Sequence, residues 1–213
     1  MNGILYENKK NCEEVQTLLN EGEYSENSAI ELTNGNLIIS QGYFINFFKK
    51  IGNSESIDVD IEFHLTKKIF TNSDNIFFTE IDNKTIVASQ MVSNALDFYD
   101  LNDYSMTKRI DKIEFGNRVN IMCLINKQTL AIGGNKGAIY LVDTIRKQLF
   151  YMTHIDNFGK ITCLKSIDSE NIIISCFDAK NKSNDVIVYK IGIDNNFEEV
   201  KRKNKAPLIL DRE

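Results

Sequence analysis

Internal repetition restricts this chain more than any other feature, because a repeat has to fold as copies of one unit. Four segments share one pattern. A polar turn leads into an apolar strand ending in small residues, and after a gap a second strand ends in an aromatic or apolar residue followed by a polar one. The first copy reads Ala29-Ile30-Glu31-Leu32, Thr33-Asn34-Gly35-Asn36, Leu37-Ile38-Ile39-Ser40, then Tyr43 to Phe48 and Lys49. The second has the turn Asp82-Asn83-Lys84, the strand Thr85 to Ser89 and the closing strand Leu96-Asp97-Phe98-Tyr99-Asp100. The third runs Ile121 to Leu124, turn Asn126-Lys127-Gln128, strand Thr129 to Gly133, turn Asn135-Lys136-Gly137, strand Ala138 to Val142 and Asp143. The fourth runs Ile161 to Leu164, turn Asp168 to Asn171, strand Ile172 to Cys176, and strand Val186 to Tyr189 with Lys190. The closing residues Phe48, Tyr99, Val142 and Tyr189 stand 51, 43 and 47 residues apart. Periods of roughly 40–50 residues suit propeller blades of four short strands.

A fourth, outer strand is expected in each copy at Ile57–Phe63, Met106–Phe115, Gln148–His154 and Phe197–Lys201. In Ile57-Asp58-Val59-Asp60-Ile61-Glu62-Phe63 strict alternation sets the apolar residues on one face and the acids on the other, as in a half-exposed strand. Inner runs such as Leu37-Ile38-Ile39 and Ile172-Ile173-Ile174 are apolar on both faces, as expected of a sheet covered on both sides.

These segments resemble WD40 repeats, in which a blade ends in a Trp-Asp dipeptide after a tight hairpin. The closest copy is Gly133-Gly134-Asn135-Lys136-Gly137-Ala138-Ile139-Tyr140-Leu141-Val142-Asp143, whose Asn-x-Gly turn supplies the positive φ that a tight hairpin needs. The resemblance spans about Ala29 to Ile191. The Trp position is held by Phe48, Tyr99, Val142 and Tyr189, and the Asp stands only at Asp100 and Asp143, with Lys49 and Lys190 elsewhere. The Gly-His opening of a typical repeat is missing, so the family's buried Asp-His-Ser-Trp network does not transfer. The resemblance implies an all-β chain: a propeller or partial propeller of about four blades, at about 29–63, 76–115, 119–154 and 161–201.

Outside the repeats, Asn11 to Asn20 reads as one short helix, with Asn11 as cap, Glu14 three residues on, and Val15, Leu18 and Leu19 on one face. It reads as packing on the first blade rather than as a docking helix. Ile4-Leu5-Tyr6 and Leu208-Ile209-Leu210 are candidate end strands, and a closed propeller commonly pairs its two ends. Residues 1–28 thus form an N-terminal strand and helix, and residues 202–213 a basic connector and closing strand. Since WD40 propellers usually need about 300 residues, three outcomes stay open: a compact small propeller, an open array completed by a partner's blades, or a fragment of a longer chain. An open array predicts an obligate complex or oligomer.

A net charge of −5 argues against an electrostatic nucleic-acid binder. The most basic tract, Lys201-Arg202-Lys203-Asn204-Lys205, reads as a solvated connector rather than a phosphate-binding patch. No signal peptide and no apolar run long enough to span a bilayer stand in the chain, which argues for no membrane insertion and for an intracellular, cytoplasmic setting. Cys12, Cys123, Cys163 and Cys176 form no zinc pattern, so reduced thiols are expected, with Cys123 and Cys163 packed in the core. Asp58, Asp60 and Glu62 share a strand face without the glycine-containing loop of a calcium site. His64 and His154 neighbour no nucleophile motif and read as exposed. Gly133 to Gly137 lacks the Lys-Ser/Thr ending of a phosphate loop.

The sequence therefore points to a non-enzymatic protein–protein interaction scaffold, a subunit of a larger assembly, with no catalytic residue, metal or cofactor. Rigid blades would hold partner-facing loops around Gly42, Val92 to Asn94, Asn135-Lys136 and Asn181 to Asn184. The alternatives are a propeller-type hydrolase or lyase with a channel-facing site, and a fragment that completes a partner's propeller.

Overall fold

The computed structural model describes residues 4–6, 14–17, 28–52, 62–71, 75–90, 94–111, 119–155, 159–178, 183–191 and 197–204. The chain divides into two compact units, Met1–Phe78 and Thr79–Glu213. All secondary structure among the described residues is β, and no helix there is long and apolar enough to cross a membrane.

In the first unit, β1 (Ile4–Tyr6) and β2 (Glu14–Thr17) pair antiparallel as a small sheet, with a bulge between Leu5 and Tyr6. This corrects the expected helix at Asn11 to Asn20, whose other residues lie outside those described. Within Glu14-Val15-Gln16-Thr17 polar residues alternate with β-branched ones, a period of two that suits strand pairing. The expected end strand Ile4-Leu5-Tyr6 forms, and its described partner is β2. Leu208 to Leu210 lies outside the described residues. The first four-stranded sheet orders β3 (Ala29–Glu31), β4 (Leu37–Gln41), β5 (Phe44–Ile51) and β6 (Glu62–Phe70) as in the sequence. Its outer strand thus begins where the expected Ile57–Phe63 strand ends, and residues 57–61 lie outside those described. Leu37, Ile39 and Phe48 form its small core, with Phe63 against them.

The second sheet comprises β7 (Asn75–Asp82), which crosses the boundary between the units, β8 (Thr85–Gln90), β9 (Leu96–Asp100) and β10 (Met106–Ile110). The third comprises β11 (Ile121–Asn126), β12 (Thr129–Gly133), β13 (Ala138–Asp143) and β14 (Gln148–His154). The fourth comprises β15 (Ile161–Ser166), β16 (Asn171–Asp178), β17 (Ser183–Ile191) and β18 (Phe197–Asn204). Most of the basic tract is therefore the end of an outer strand rather than a connector. Val186, Ile187 and Val188 of β17 stand opposite Lys203, Arg202 and Lys201, and each such pairing fixes backbone that a connector would leave to water.

One register runs through all four sheets. The closing residues Phe48, Tyr99, Val142 and Tyr189 stand opposite Leu37, Ile86, Leu130 and Ile172. On their other side the outer strand breaks register at one place each time. Phe47 and Phe48 pair with Lys67 and Leu65, and Phe98 and Tyr99 with Lys108 and Met106. Leu141 and Val142 pair with Tyr151 and Leu149, and Val188 and Tyr189 with Lys201 and Glu199. Each outer strand thus carries one extra residue at the same point: Thr66, Thr107, Phe150 and Val200. A bulge bends and twists its strand locally, so the four sheets share a bend as well as a pairing pattern.

The turns repeat as well. The side-chain oxygen of Asp82, Asn126 and Asp168, four residues before the buried Ile86, Leu130 and Ile172, accepts the N–H of Lys84, Gln128 and Glu170 at 2.8–2.9 Å. Such Asx turns close the chain without neighbouring backbone. The first sheet shifts this cap by one residue, to Asn34, and uses Gly35 at φ 81°.

The third and fourth sheets pack on each other through one apolar layer that includes Ala131, Leu141, Ile161, Ile174 and Ile187. Full burial of each such Leu or Ile side chain contributes about 1.5–3 kcal/mol. Gly133 makes this approach possible. A Cβ there would lie 2.7 Å from Cγ2 of Ile161 and 2.9 Å from Cγ2 of Ile121.

Candidate interaction surface

The partner-facing residues expected from sequence differ sharply in what they present. Gly42 sits at φ 54° in the two-residue turn between β4 and β5 and is buried, so it shapes that turn rather than offering a contact. Asn94, at φ 49°, is half-buried. Asn135 is also half-buried and accepts a hydrogen bond from Nδ2 of Asn120 at 2.8 Å, so its side chain serves the fold. Lys136, at φ 54°, is exposed at the tip of that hairpin. Ser183 and Asn184 belong to β17 rather than to a loop. Asn181, Val92 and Ser93 lie outside the described residues.

The hairpin that carries Lys136 is held by the fourth sheet. The N–H of Gly137 donates to the carbonyl of Gly159 at 2.6 Å, and the N–H of Ile161 donates to that of Gly134 at 3.1 Å. Gly137 has φ 71°, and a Cβ there would come within 2.4 Å of the Ile155 carbonyl oxygen. The turn between β13 and β14 is likewise fixed. Oδ1 of Asp143 accepts the N–H groups of Ile145 and Arg146, while Lys147 reaches the second sheet, where Nζ donates to Oγ1 of Thr107 at 2.7 Å. Asp100, the other acid at a closing position, accepts the N–H of Asn102 at 2.7 Å. Ile145, 67 % exposed, is left on the surface of a rigid turn.

Among the described residues one acid is fully buried. Asp97, the second residue of β9, has a fully buried side chain and stands opposite Arg109 of β10. Nε and Nη2 of Arg109 donate to its two oxygens at 2.7 and 2.8 Å, Nε2 of Gln90 donates to Oδ2, and the Tyr99 hydroxyl adds a longer contact of 3.5 Å. Burial, then the neighbouring Asp97 charge, pushes the Tyr99 phenol above its ordinary range. The hydrogen bond to Asp97 raises the Arg109 guanidinium. A bidentate pair with further donors satisfies a carboxylate that burial alone would penalise heavily. The signal in the sequence was a lone acid inside the apolar run Leu96-Asp97-Phe98-Tyr99, with an arginine one strand later. Asn46 holds the same register position in β5, where it is also buried and donates to the Ile39 carbonyl at 3.4 Å.

The remaining candidates are spread out. Among the described residues no group of three or more His, Cys, Asp or Glu side chains converges as a metal set. Glu62 bonds His64 across an exposed strand at 3.0 Å, while Asp58 and Asp60 lie outside the described residues. His154 is exposed at the end of β14. Cys176 is buried, Cys123 half-buried and Cys163 exposed, so Cys163 is not the core residue its apolar neighbours suggested. Its strand β15 buries Ile161 and Leu164 instead, one bulge apart in register. Burial raises the Cys123 thiol above its ordinary range, although its sulfur accepts the Ser166 N–H at 3.2 Å.

No family model matches the chain, and no curated protein matches it.

Proposed function

We propose that this chain is a WD40-like repeat module, a β-propeller or part of one, that binds protein partners and catalyses no reaction on them. The observation that carries this reading is the fourfold register, in which one pairing pattern and one outer-strand bulge recur in each four-stranded sheet. Repetition at this level is what a blade architecture requires, and blades serve recognition by holding loops on a rigid frame. The tie between the Lys136 hairpin and the fourth sheet, and the Lys147 bridge to the second, supply that rigidity. Asp97, the most deeply buried acid among the described residues, is spent on a structural pair, which favours a binding role over acid–base chemistry. In this reading the module works in a reducing, cytoplasmic setting, where thiols stay reduced.

The test is reconstitution. A protein that co-purifies with the chain at fixed stoichiometry is expressed separately and remixed with it. The expected result is a complex that Lys136→Glu weakens by about tenfold, roughly 1.4 kcal/mol, with unchanged melting temperature. A chain that forms no such complex and hydrolyses chromogenic ester, phosphate or glycoside substrates would overturn the reading.

A further inference from the structure

Because the four outer strands share one register, their edges can be compared residue by residue. Directly after the bulge residue, β6 carries Lys67-Lys68, β10 carries Lys108-Arg109 and β18 carries Lys201-Arg202. At the same two positions β14 carries Tyr151-Met152. An outer strand ends its sheet with unpaired backbone groups along one side, a template for another strand, and charged residues, lysine above all, blunt such edges. Three of the four sheets carry two cations at this one common point of the sequence, and the third carries none.

The rest of β14 agrees. Among the described residues it is the last strand of its sheet. Its sequence Gln148-Leu149-Phe150-Tyr151-Met152-Thr153-His154 contains no Lys, Arg, Asp or Glu. Phe150 is 37 % and Met152 46 % exposed. Tyr151, by contrast, packs against the layer between the third and fourth sheets and anchors the strand.

We propose that β14 is the edge through which two copies of this chain associate, each laying its β14 antiparallel against the other's. Charge selects this occupant. Two identical strands meeting about a two-fold axis set each residue near its own counterpart, so a Lys-Lys or Lys-Arg pair would face like charges, which oppose pairing. The β14 strand meets no such repulsion. A two-fold centred on Tyr151 sets Phe150 opposite Met152 of the second copy, an apolar pair with favourable sulfur–aromatic contact. The two third sheets would then continue as one sheet of eight strands.

Sedimentation velocity on the full chain from about 1 to 300 µM tests this, a range suited to a small interface. The expected result is a concentration-dependent rise from 24.4 kDa toward twice that mass. The double variant Phe150→Lys/Met152→Lys, which puts two cations at the exposed positions of the strand, should stay at single-chain mass across the range. Its melting temperature should remain within about 2 °C of wild type, since both positions are surface-exposed. Hydrogen exchange on wild type gives a reading independent of any variant: amides of β14 should gain protection at the higher concentration while those of β6 and β10 do not. Wild type that stays at single-chain mass overturns the proposal, including where another protein or another segment of this chain covers the edge. A dimer that the double variant leaves intact, or β14 amides indifferent to concentration, overturns it as well.

Discussion

The second and third sheets have the same strand order, the same register and the same bulge, yet they fill one shared position with opposite chemistry. In the second sheet that position is Asp97, buried and clamped by Arg109 across the outer strand. In the third it is Tyr140, fully buried, with Met152 across from it. At the bulge, Thr107 donates its hydroxyl to the Phe98 carbonyl at 3.2 Å, as Thr66 does to Phe47 at 3.0 Å in the first sheet, whereas Phe150 has no hydroxyl to give. The backbone pattern is thus the repeated quantity, and side-chain chemistry varies within it. In the second sheet the outer-strand cation Arg109 neutralises a buried acid, whereas Lys68 and Arg202 stand opposite Asn46 and Ile187, so a cation at this position does not require an acid across from it.

The comparison breaks most severely at Arg109. Arg109→Met, which installs the third sheet's residue, leaves Asp97 buried without its partner and should cost about 3–5 kcal/mol. Urea denaturation measures this. Adding Asp97→Asn, the residue type of the first sheet, should restore part of the loss, because an amide costs less to bury than an unpaired charge. A double variant no more stable than the single one would show that the pair does not act as a unit.

On the apolar side, the sharpest test is Gly133→Ser. Ser40, Ser89 and Ser175 hold this register position in the other sheets, so the substitution makes the third repeat more like its neighbours. It should nevertheless destabilise by about 1–3 kcal/mol, because the new Cβ overlaps the methyl groups of Ile121 and Ile161. Unchanged stability would mean that the third and fourth sheets do not approach as closely as described.

Thr107→Val probes the bulge itself. It removes a hydrogen bond to the Phe98 carbonyl and the contact with Lys147, and should cost about 0.5–1.5 kcal/mol by thermal melting. The smallest effect belongs to the turns. The N–H groups of Glu170 and Asn171 and the Asn171 amide hold the Asp168 carboxyl below its ordinary range. A depressed folded-state value adds stability that is present above the unfolded value and lost as pH falls through the folded one. Asp168→Asn should therefore flatten the fall in stability below about pH 4 and leave it little changed at pH 7. An unaltered acid limb in urea titrations at pH 3 and 6 would contradict the assignment.

Much of the fold was legible from the chain because strand and turn signals are local. Asp82-Asn83-Lys84 and Asn126-Lys127-Gln128 announce turns, and the apolar runs after them announce inner strands. The aligned closing residues Phe48, Tyr99, Val142 and Tyr189 even carry the register, since residues of one repeat position pair alike. What stayed hidden depends on partners distant in sequence. The bulge residues Thr66, Thr107, Phe150 and Val200 look ordinary, because a bulge is defined only against the neighbouring strand. Asp97 and Arg109 become a pair only once β9 and β10 are set in register. The expected helix came from the spacing of Val15, Leu18 and Leu19, which fits a helix face while the shorter Glu14-to-Thr17 stretch alternates. The apolar neighbours of Cys163 suggest a core position, but the bulge that lets β15 bury both Ile161 and Leu164 cannot be read from composition. Of the proposed contact residues, Lys136 kept an exposed place, whereas Gly42 and Asn135 serve the turns that hold the loops.

The central claim is that four sheets share one register with one outer-strand bulge, and NMR on isotopically labelled protein tests it most directly. The account predicts cross-strand contacts for the pairs Phe47–Lys67, Phe98–Lys108, Leu141–Tyr151 and Val188–Lys201, and again for Phe48–Leu65, Tyr99–Met106, Val142–Leu149 and Tyr189–Glu199, with one residue skipped between the two sets each time. Continuous pairing through Thr66, Thr107, Phe150 or Val200, with no residue skipped, would contradict it.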